Sequence, residues 1–255
     1  MIAYRDQVYA APEETELRFD FVRPDVPGDL PLIVFLHGGG WISGDKEMYR
    51  DEAIAFADRG FACACPEYRL APLNHFPDQI EDVQSFVQYA RTHAAGLGVD
   101  PNRVYAFGNS AGGYLAAALG LWITPVQPND GPSPQANRVV AVCPITDLTD
   151  PTDSNLPIAM SFLEQYMGCR YDTDPDRWRE ASPIAHLSPL ASPLLIAHGT
   201  EDDVVPFSQS VRFAAALDAA DVPHETLWLP REGHSFTFAA WETIAARAVE
   251  FFGMP

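Results

Sequence analysis

Val104-Tyr-Ala-Phe-Gly-Asn-Ser-Ala-Gly-Gly-Tyr-Leu-Ala-Ala-Ala118 decides how the rest of this chain must be arranged. Val104 to Phe107 is an apolar run that reads as a buried strand. The small residues after Ala111 read as a helix. Between them, Gly108-Asn109-Ser110-Ala111-Gly112 fits G-x-S-x-G, a strand-to-helix turn too tight for side chains at its two ends. Such a turn lifts the serine hydroxyl onto an exposed corner at a helix N-terminus. Strand and helix flank the motif in the required order, so Ser110 is the candidate nucleophile.

Upstream, Leu32-Ile-Val-Phe-Leu36 is fully apolar and reads as a central strand. It runs into His37-Gly38-Gly39-Gly40-Trp41, where three consecutive glycines leave backbone N–H groups uncovered. Donors of that kind can converge on an oxyanion. Thr15 to Val22 alternates charged and apolar residues, the pattern of a strand with one wet face. Glu47 to Arg59 reads as a helix stopped by Gly60, and Phe61 to Cys65 as a buried strand. A long helix opens at Phe76-Pro77-Asp78-Gln79, with Ile80, Val83, Phe86, Val87 and Ala90 on one face.

Downstream, a loop with four prolines over 124–137 precedes a strand from Arg138 to Cys143. Regularity then fails over about 147–187. That stretch holds Met160, Phe162, Leu163, Tyr166, Met167 and Trp178 among many Asp and Pro residues. Its length favours a short, partly helical insertion over the active face. Pro193 to Ala197 and Glu225 to Leu229 read as strands, and Phe207 to Ala220 and Phe238 to Phe252 as helices. Strands alternating with helices predict an α/β protein. One mostly parallel sheet is covered on both faces, in a single domain spanning 1–255 without internal repeat.

Parallel sheets deliver function at the carboxyl ends of their strands. The glycine run, Ser110, the Glu201-Asp202-Asp203 loop and His234 each follow a strand directly. A serine hydroxyl needs a base within hydrogen-bond reach, and that base needs a carboxylate to hold its tautomer. The chain order Ser110, acid, His234 suits a sheet of this kind. His75, His93, His186 and His224 lie away from strand ends, while His37 and His198 precede glycine turns and read as loop braces. The residues alone do not choose among Glu201, Asp202 and Asp203.

The formal net charge of −19 sets the surface against nucleic acid and anionic membranes. Lys46 is the only lysine beside 15 arginines. No segment is long and apolar enough to span a membrane, and the charged start lacks a signal-peptide pattern. A cytoplasmic chain is the expectation. The four cysteines show no zinc spacing; Cys63 and Cys65 face one side of an apolar strand as core residues.

These motifs together resemble the α/β-hydrolases, in particular the hormone-sensitive-lipase-like esterases and the small acetylxylan and feruloyl esterases near them. The resemblance rests on His37-Gly-Gly-Gly-Trp41 with Gly44-Asp45-Lys46, Glu67-Tyr-Arg-Leu-Ala-Pro72 and Phe76-Pro-Asp-Gln-Ile-Glu-Asp82. Gly108-Asn-Ser-Ala-Gly-Gly113, Ala181-Ser-Pro-Ile184, the His198-to-Pro206 loop and Gly233-His-Ser-Phe236 complete it. It implies an α/β-hydrolase fold and a serine ester hydrolase acting on a small-molecule ester, with no cofactor or metal. It assigns the triad to Ser110, Asp202 and His234, and the oxyanion donors to the N–H groups of Gly39, Gly40 and Ala111. Asn109 departs from the Asp frequent in lipase-like members, and no long N-terminal cap segment is present, which points to the small, open esterases. Trp41, Phe162 and Tyr166 are the expected substrate-binding aromatics at the rim. The same triad serves amide hydrolases of kynurenine-formamidase or peptidase type, and some relatives only bind small molecules. Oligomeric state is left open.

The acidic surface carries a prediction of its own. Repulsion among its carboxylates weakens as the Debye length falls from about 10 Å at 0.1 M to about 3 Å at 1 M salt. The melting temperature should therefore hold or rise as NaCl is raised to 1 M. A steady fall over that range in a thermal scan would contradict this.

Overall fold

The computed structural model describes residues 1–121, 123, 131–149 and 157–253. Eight strands form one sheet: β1 (Ile2–Ala10), β2 (Leu17–Arg23), β3 (Leu30–Leu36), β4 (Ala62–Pro66), β5 (Val99–Asn109), β6 (Arg138–Val142), β7 (Leu194–Gly199) and β8 (His224–Leu229). The α-helices are α1 (Arg50–Ala57), α2 (Asp78–Thr92), α3 (Ala94–Leu97), α4 (Ala111–Leu121), α5 (Pro157–Met167), α6 (Pro175–Ala181), α7 (Ser208–Ala219) and α8 (Phe238–Phe252). The sheet order is β1-β2-β4-β3-β5-β6-β7-β8. β1 and β2 run antiparallel, as do β2 and β4, and every later pairing is parallel. This is the α/β-hydrolase fold.

Strand alternation divides the core. Leu32, Val34 and Leu36 of β3 point into one layer with α2 and α4, while Ile33 and Phe35 point into the other with α1 and α8. Cys63 and Cys65 lie together in that second layer, as their spacing requires. α4 is buried on every side. That explains its run of Gly, Ala and Leu, because a helix that is apolar all round has no wet face to offer. A Cβ on Gly120 of α4 would meet the Val139 side chain at 2.5 Å.

β1 has no counterpart in the sequence reading. Residues 3–8 are exposed, so no apolar alternation marks them. A bulge between Tyr4 and Gln7, with Asp6 at φ 53°, breaks the register further. What holds β1 is non-local. The only lysine, Lys46, is buried and pairs with Asp6 at 3.1 Å and Glu67 at 2.8 Å. Glu67 also accepts the Arg18 N–H at 3.0 Å. Two residues on, Arg69 grips Asp82 of α2 through Nε and Nη2, each at 2.9 Å, and its N–H donates to the same carboxylate at 2.8 Å. These polar motifs brace the frame and lie outside the cleft described below.

β5 and α4 meet at a junction where backbone packs on backbone. A Cβ on Gly112 would sit 1.9 Å from the Leu36 carbonyl oxygen, and one on Gly113 2.7 Å from that of Val142. Gly112→Ala should therefore lower stability by about 3 kcal/mol or prevent folding, because the Leu36 carbonyl cannot retreat without breaking the sheet. Urea unfolding of the variant beside wild type measures this, and an unchanged midpoint would show that the junction has slack.

Candidate active site

Ser110 occupies the turn between β5 and α4 in a left-handed conformation, φ 56°. A non-glycine residue there is strained and persists only where its surroundings fix it. Its N–H donates to the Val142 carbonyl at 2.8 Å, and a Cβ on Gly108 would meet the Gly112 oxygen at 2.2 Å. The Ser110 hydroxyl makes no hydrogen bond to a described residue and lines a cleft of about 300 Å³.

The loop after β3 faces it. Gly39 (φ 111°), Gly40 (φ 61°) and Trp41 (φ 60°) are all left-handed. A Cβ on Gly39 would lie 2.2 Å from the Ser43 oxygen, so the position demands glycine. The Gly39 carbonyl is turned away and accepts N–H groups of Ile42 and Ser43 and the Ser43 hydroxyl. Among the described residues, no acceptor takes the N–H of Gly39, Gly40 or Ala111. Ala111 opens α4, where an N–H has no intrahelical partner. His37 braces the loop from behind: its ring stacks on Tyr68 at 4.2 Å, and its Nδ1 lies 2.8 Å from the Gly38 oxygen. Burial lowers the His37 pKa, which keeps this brace uncharged.

His234 follows β8 and lines the cleft with Ser110. Its Nδ1 donates to Asp202 Oδ2 at 2.8 Å. Asp203 is exposed, and Glu201 is too. The loop after β7 thus turns one of its three acids inward, the choice that chain order could not make. The Asp202 side chain has no exposed surface. Burial alone would raise its carboxyl. Hydrogen bonds from His198 and His234, then the His234 charge and the Val204 N–H, outweigh burial and hold it well below the usual carboxylate range. His198 was missed as part of this site. Its Nε2 lies 3.1 Å from Asp202 Oδ2, four residues on, where the loop after β7 turns back on the strand end.

The cleft walls are Trp41, Met48, Ile145, Ala159, Phe162, Leu163, Val204 and Val205. Ala159, Phe162 and Leu163 come from one face of α5, so part of the 147–187 stretch does overlie the site; residues 150–156 of it lie outside those described. Phe162 packs directly on Gly40, where a Cβ would meet its ring at 2.8 Å. The expected rim aromatics separate here. Trp41 and Phe162 line the cleft, but Trp41 is only 2% exposed. Tyr166 is fully buried and does not line it, which corrects its reading as a rim residue. Tyr166 stacks under Trp41 at 4.4 Å and 15°, and donates to the Tyr114 hydroxyl of α4 at 2.9 Å. Helical spacing put it on the face of α5 opposite solvent, where it serves packing.

A serine on a strained turn, free N–H donors beside it and a histidine–carboxylate pair across the cleft are the parts that acyl transfer requires. The BD-FAE family model matches residues 20–217. The chain belongs to the BD-FAE family. The matched region takes in Ser110 and Asp202 but stops before His234, so the histidine enters through the geometry. Esterase LipC of Mycobacterium tuberculosis is 30% identical to this BD-FAE chain over 241 residues, 91% of this chain and 60% of that protein. Esterase LipQ of the same organism is 32% identical over 235 residues, 89% of this chain and 55% of that protein. The chain thus spans somewhat over half the length of these relatives. Among solved structures, a thermophilic esterase from the Planctomycetes species Thermogutta terrifontis matches with TM-score 0.82 and 28% identity, covering 96% of this chain and 90% of that one. A carbohydrate esterase from gut microbiota, at 21% identity and TM-score 0.83, shares the fold.

The loop geometry separates the two neighbouring acids in a measurable way. Asp202→Asn should reduce kcat by about 10⁴-fold, the scale seen when a histidine loses its carboxylate in a comparable triad. Asp203→Asn, at an exposed position, should stay within a few-fold of wild type. Steady-state ester turnover of both purified variants checks the pair, and an inverted order would contradict this site.

Proposed function

We propose that the protein is a serine carboxylic-ester hydrolase that favours short acyl groups. The observation that carries this reading is the His234–Asp202 pair, held at 2.8 Å in a cleft that Ser110 also lines. Ser110 Oγ attacks the ester carbonyl while His234 Nε2 takes its proton. The carbonyl oxygen becomes an oxyanion and is met by the N–H groups of Gly39, Gly40 and Ala111. Donors already aimed at that charge need no reorganisation as it develops. His234 then protonates the departing alkoxide, and the acyl-enzyme remains. Water, deprotonated by His234, attacks the acyl carbon and releases the acid. Asp202 keeps the His234 proton on Nδ1 and faces the imidazolium when it forms. The names of the relatives, esterases and carboxylic ester hydrolases, support the same reaction.

Substrate size follows from the walls. Ile145, Ala159, Phe162, Leu163, Val204 and Val205 make one end apolar, and about 300 Å³ accommodates a short chain. Each buried methylene contributes roughly 0.8 kcal/mol, but only while the walls reach it. The Thermogutta terrifontis esterase has been described with propionate and with butyrate bound, acids of this size.

The other side of His234 differs. A second cleft shares Met48, Asn109 and His234 and is walled by Tyr49, Glu52, Ser235, Phe236 and Trp241. The leaving alcohol departs on the side of the proton donor. Aromatic faces beside an amide, a carboxylate and a hydroxyl suit an alcohol carrying several hydroxyls. Acetylated sugars are therefore the substrate class we favour, ahead of feruloyl esters.

Three measurements test this. Ser110→Ala should abolish ester turnover while circular dichroism and melting stay close to wild type, leaving at most a trace from binding and oxyanion contacts. Turnover retained in that variant would end the mechanism. Across p-nitrophenyl esters, kcat/KM should peak between acetyl and butyryl and decline beyond about C6. A maximum at C10 or longer would refute the short-acyl reading. Acetate release from acetylated xylo-oligosaccharide tests the sugar class, and none would remove it while leaving the esterase.

A further inference from the structure

His198 closes β7 and is fully buried, four residues before Asp202. Its Nε2 faces two acceptors, Asp202 Oδ2 and the Val205 carbonyl, each at 3.1 Å. Neither can donate, because Asp202 is ionised, so Nε2 must carry a hydrogen. Nδ1 lies 2.7 Å from Ser210 Oγ of α7. The Ser210 hydroxyl has no other partner among the described residues, and its proton is free to point at Nδ1. An N–H at Nε2 serves both acceptors, and Nδ1 pairs with the Ser210 hydroxyl. The Asp202 carboxylate then holds four donors. Oδ1 accepts the N–H groups of Val204 and Val205, each at 2.8 Å, and Oδ2 accepts His198 and His234.

We propose that His198 is a positioning residue of the ester hydrolase, a second histidine that shares Asp202 Oδ2 with His234 and limits how strongly that carboxylate holds the His234 proton. The inference rests on the triad reading above. A buried carboxylate with one donor fewer is a stronger acceptor towards the histidine that remains. His234 would then stay protonated to higher pH, and the fraction able to accept the Ser110 proton would fall. With His198 in place, the carboxylate charge is spread over four donors, three of which do not change during turnover. Such hydrogen bonds to an ionised group are roughly twice as strong as neutral ones.

Other titratable groups also lie near the pair. On the β6 side the Cys143 thiol lies within 4.8 Å of His198 and Asp202. Burial, then the Asp202 charge and a side-chain hydrogen bond to Asp202, push that thiol up. Glu201 and Asp203 flank Asp202 on the same loop and are exposed. Glu232, on the loop before His234, is taken up by Thr237. Glu52 of α1 lines the neighbouring cleft with His234. None of these donates to Asp202 through a ring N–H.

The test is the pH profile of kcat/KM on p-nitrophenyl acetate for wild type, His198→Gln and His198→Phe. Gln can return a side-chain N–H near the Nε2 position; Phe fills the space and removes the donor. In His198→Phe the acid limb should move up by about one pH unit, the tenfold that roughly one charge-assisted hydrogen bond represents. Activity lost near pH 6 should be largely recovered by pH 9. In His198→Gln the limb should stay at the wild-type position, whatever the absolute rate. A loss equal at all pH values in His198→Phe, or equal shifts in both variants, would overturn the proposal. If the Phe variant does not fold, imidazole ¹⁵N spectra of the wild-type protein decide it. The His198 Nε2 must carry a hydrogen from pH 6 to 9, and a ring protonated at Nδ1 alone would refute it. Failure of the triad itself would show as turnover retained in Ser110→Ala, a separate result.

Discussion

Backbone packing against backbone at the β5–α4 junction is the constraint on which this molecule depends. The start of α4 lies so close to the ends of β3 and β6 that the Leu36 and Val142 carbonyl oxygens occupy the places where Cβ atoms of Gly112 and Gly113 would be. That approach forces Ser110 into the left-handed region, and the Val142 carbonyl accepting its N–H keeps it there. The strain is small beside the packing that fixes it. The return is a hydroxyl standing clear of the sheet, at the point where α4 begins and an unpaired N–H is available.

The oxyanion loop is held by a different device. Its three left-handed residues are not stabilised by hydrogen bonds alone. α5 lays Phe162 on Gly40 and Tyr166 under Trp41, one helical turn apart. Tyr166 is in turn linked through Tyr114 to α4, and the Tyr114 hydroxyl donates to the Ala181 carbonyl at the end of α6. The helix that forms the apolar wall of the cleft therefore also clamps the donors for the oxyanion. A change in acyl preference made on α5 acts on the oxyanion loop as well, because the same side chains serve both.

Charge in this protein is organised in two ways. Most acidic groups lie on the surface and give the chain its excess. A few are buried and each is matched: Asp82 by Arg69, Asp202 by two imidazoles and two backbone N–H groups. A buried carboxylate without such donors would take up a proton instead of remaining charged. For Asp202 those donors are two ring N–H groups and two backbone N–H groups, and no Lys or Arg side chain among the described residues pairs with it.

Whatever depends on neighbours along the chain was legible in the residues alone. The turn at Ser110, the glycine run after β3, the strand–helix alternation and the amphipathic face of α2 are each written in a few consecutive residues. Backbone sterics and hydrophobic period act locally, so they can be read locally. Matters that turn on distance through space were settled by the folded arrangement. β1 is an exposed edge strand fixed by Lys46, and no apolar pattern announces it. Among the three consecutive carboxylates 201–203, which only the family resemblance had told apart, the path of the loop after β7 turns Asp202 inward. Tyr166 and Phe162 share an α5 face at helical spacing, yet one is sealed beneath Trp41 and the other lines the cleft. His198 read as a brace for its own turn; that turn brings Asp202, four residues on, to its Nε2, and α7 brings Ser210 to its Nδ1. Contacts between segments far apart in the chain leave no spacing behind, and for that reason the fold had to be seen before the site could be completed.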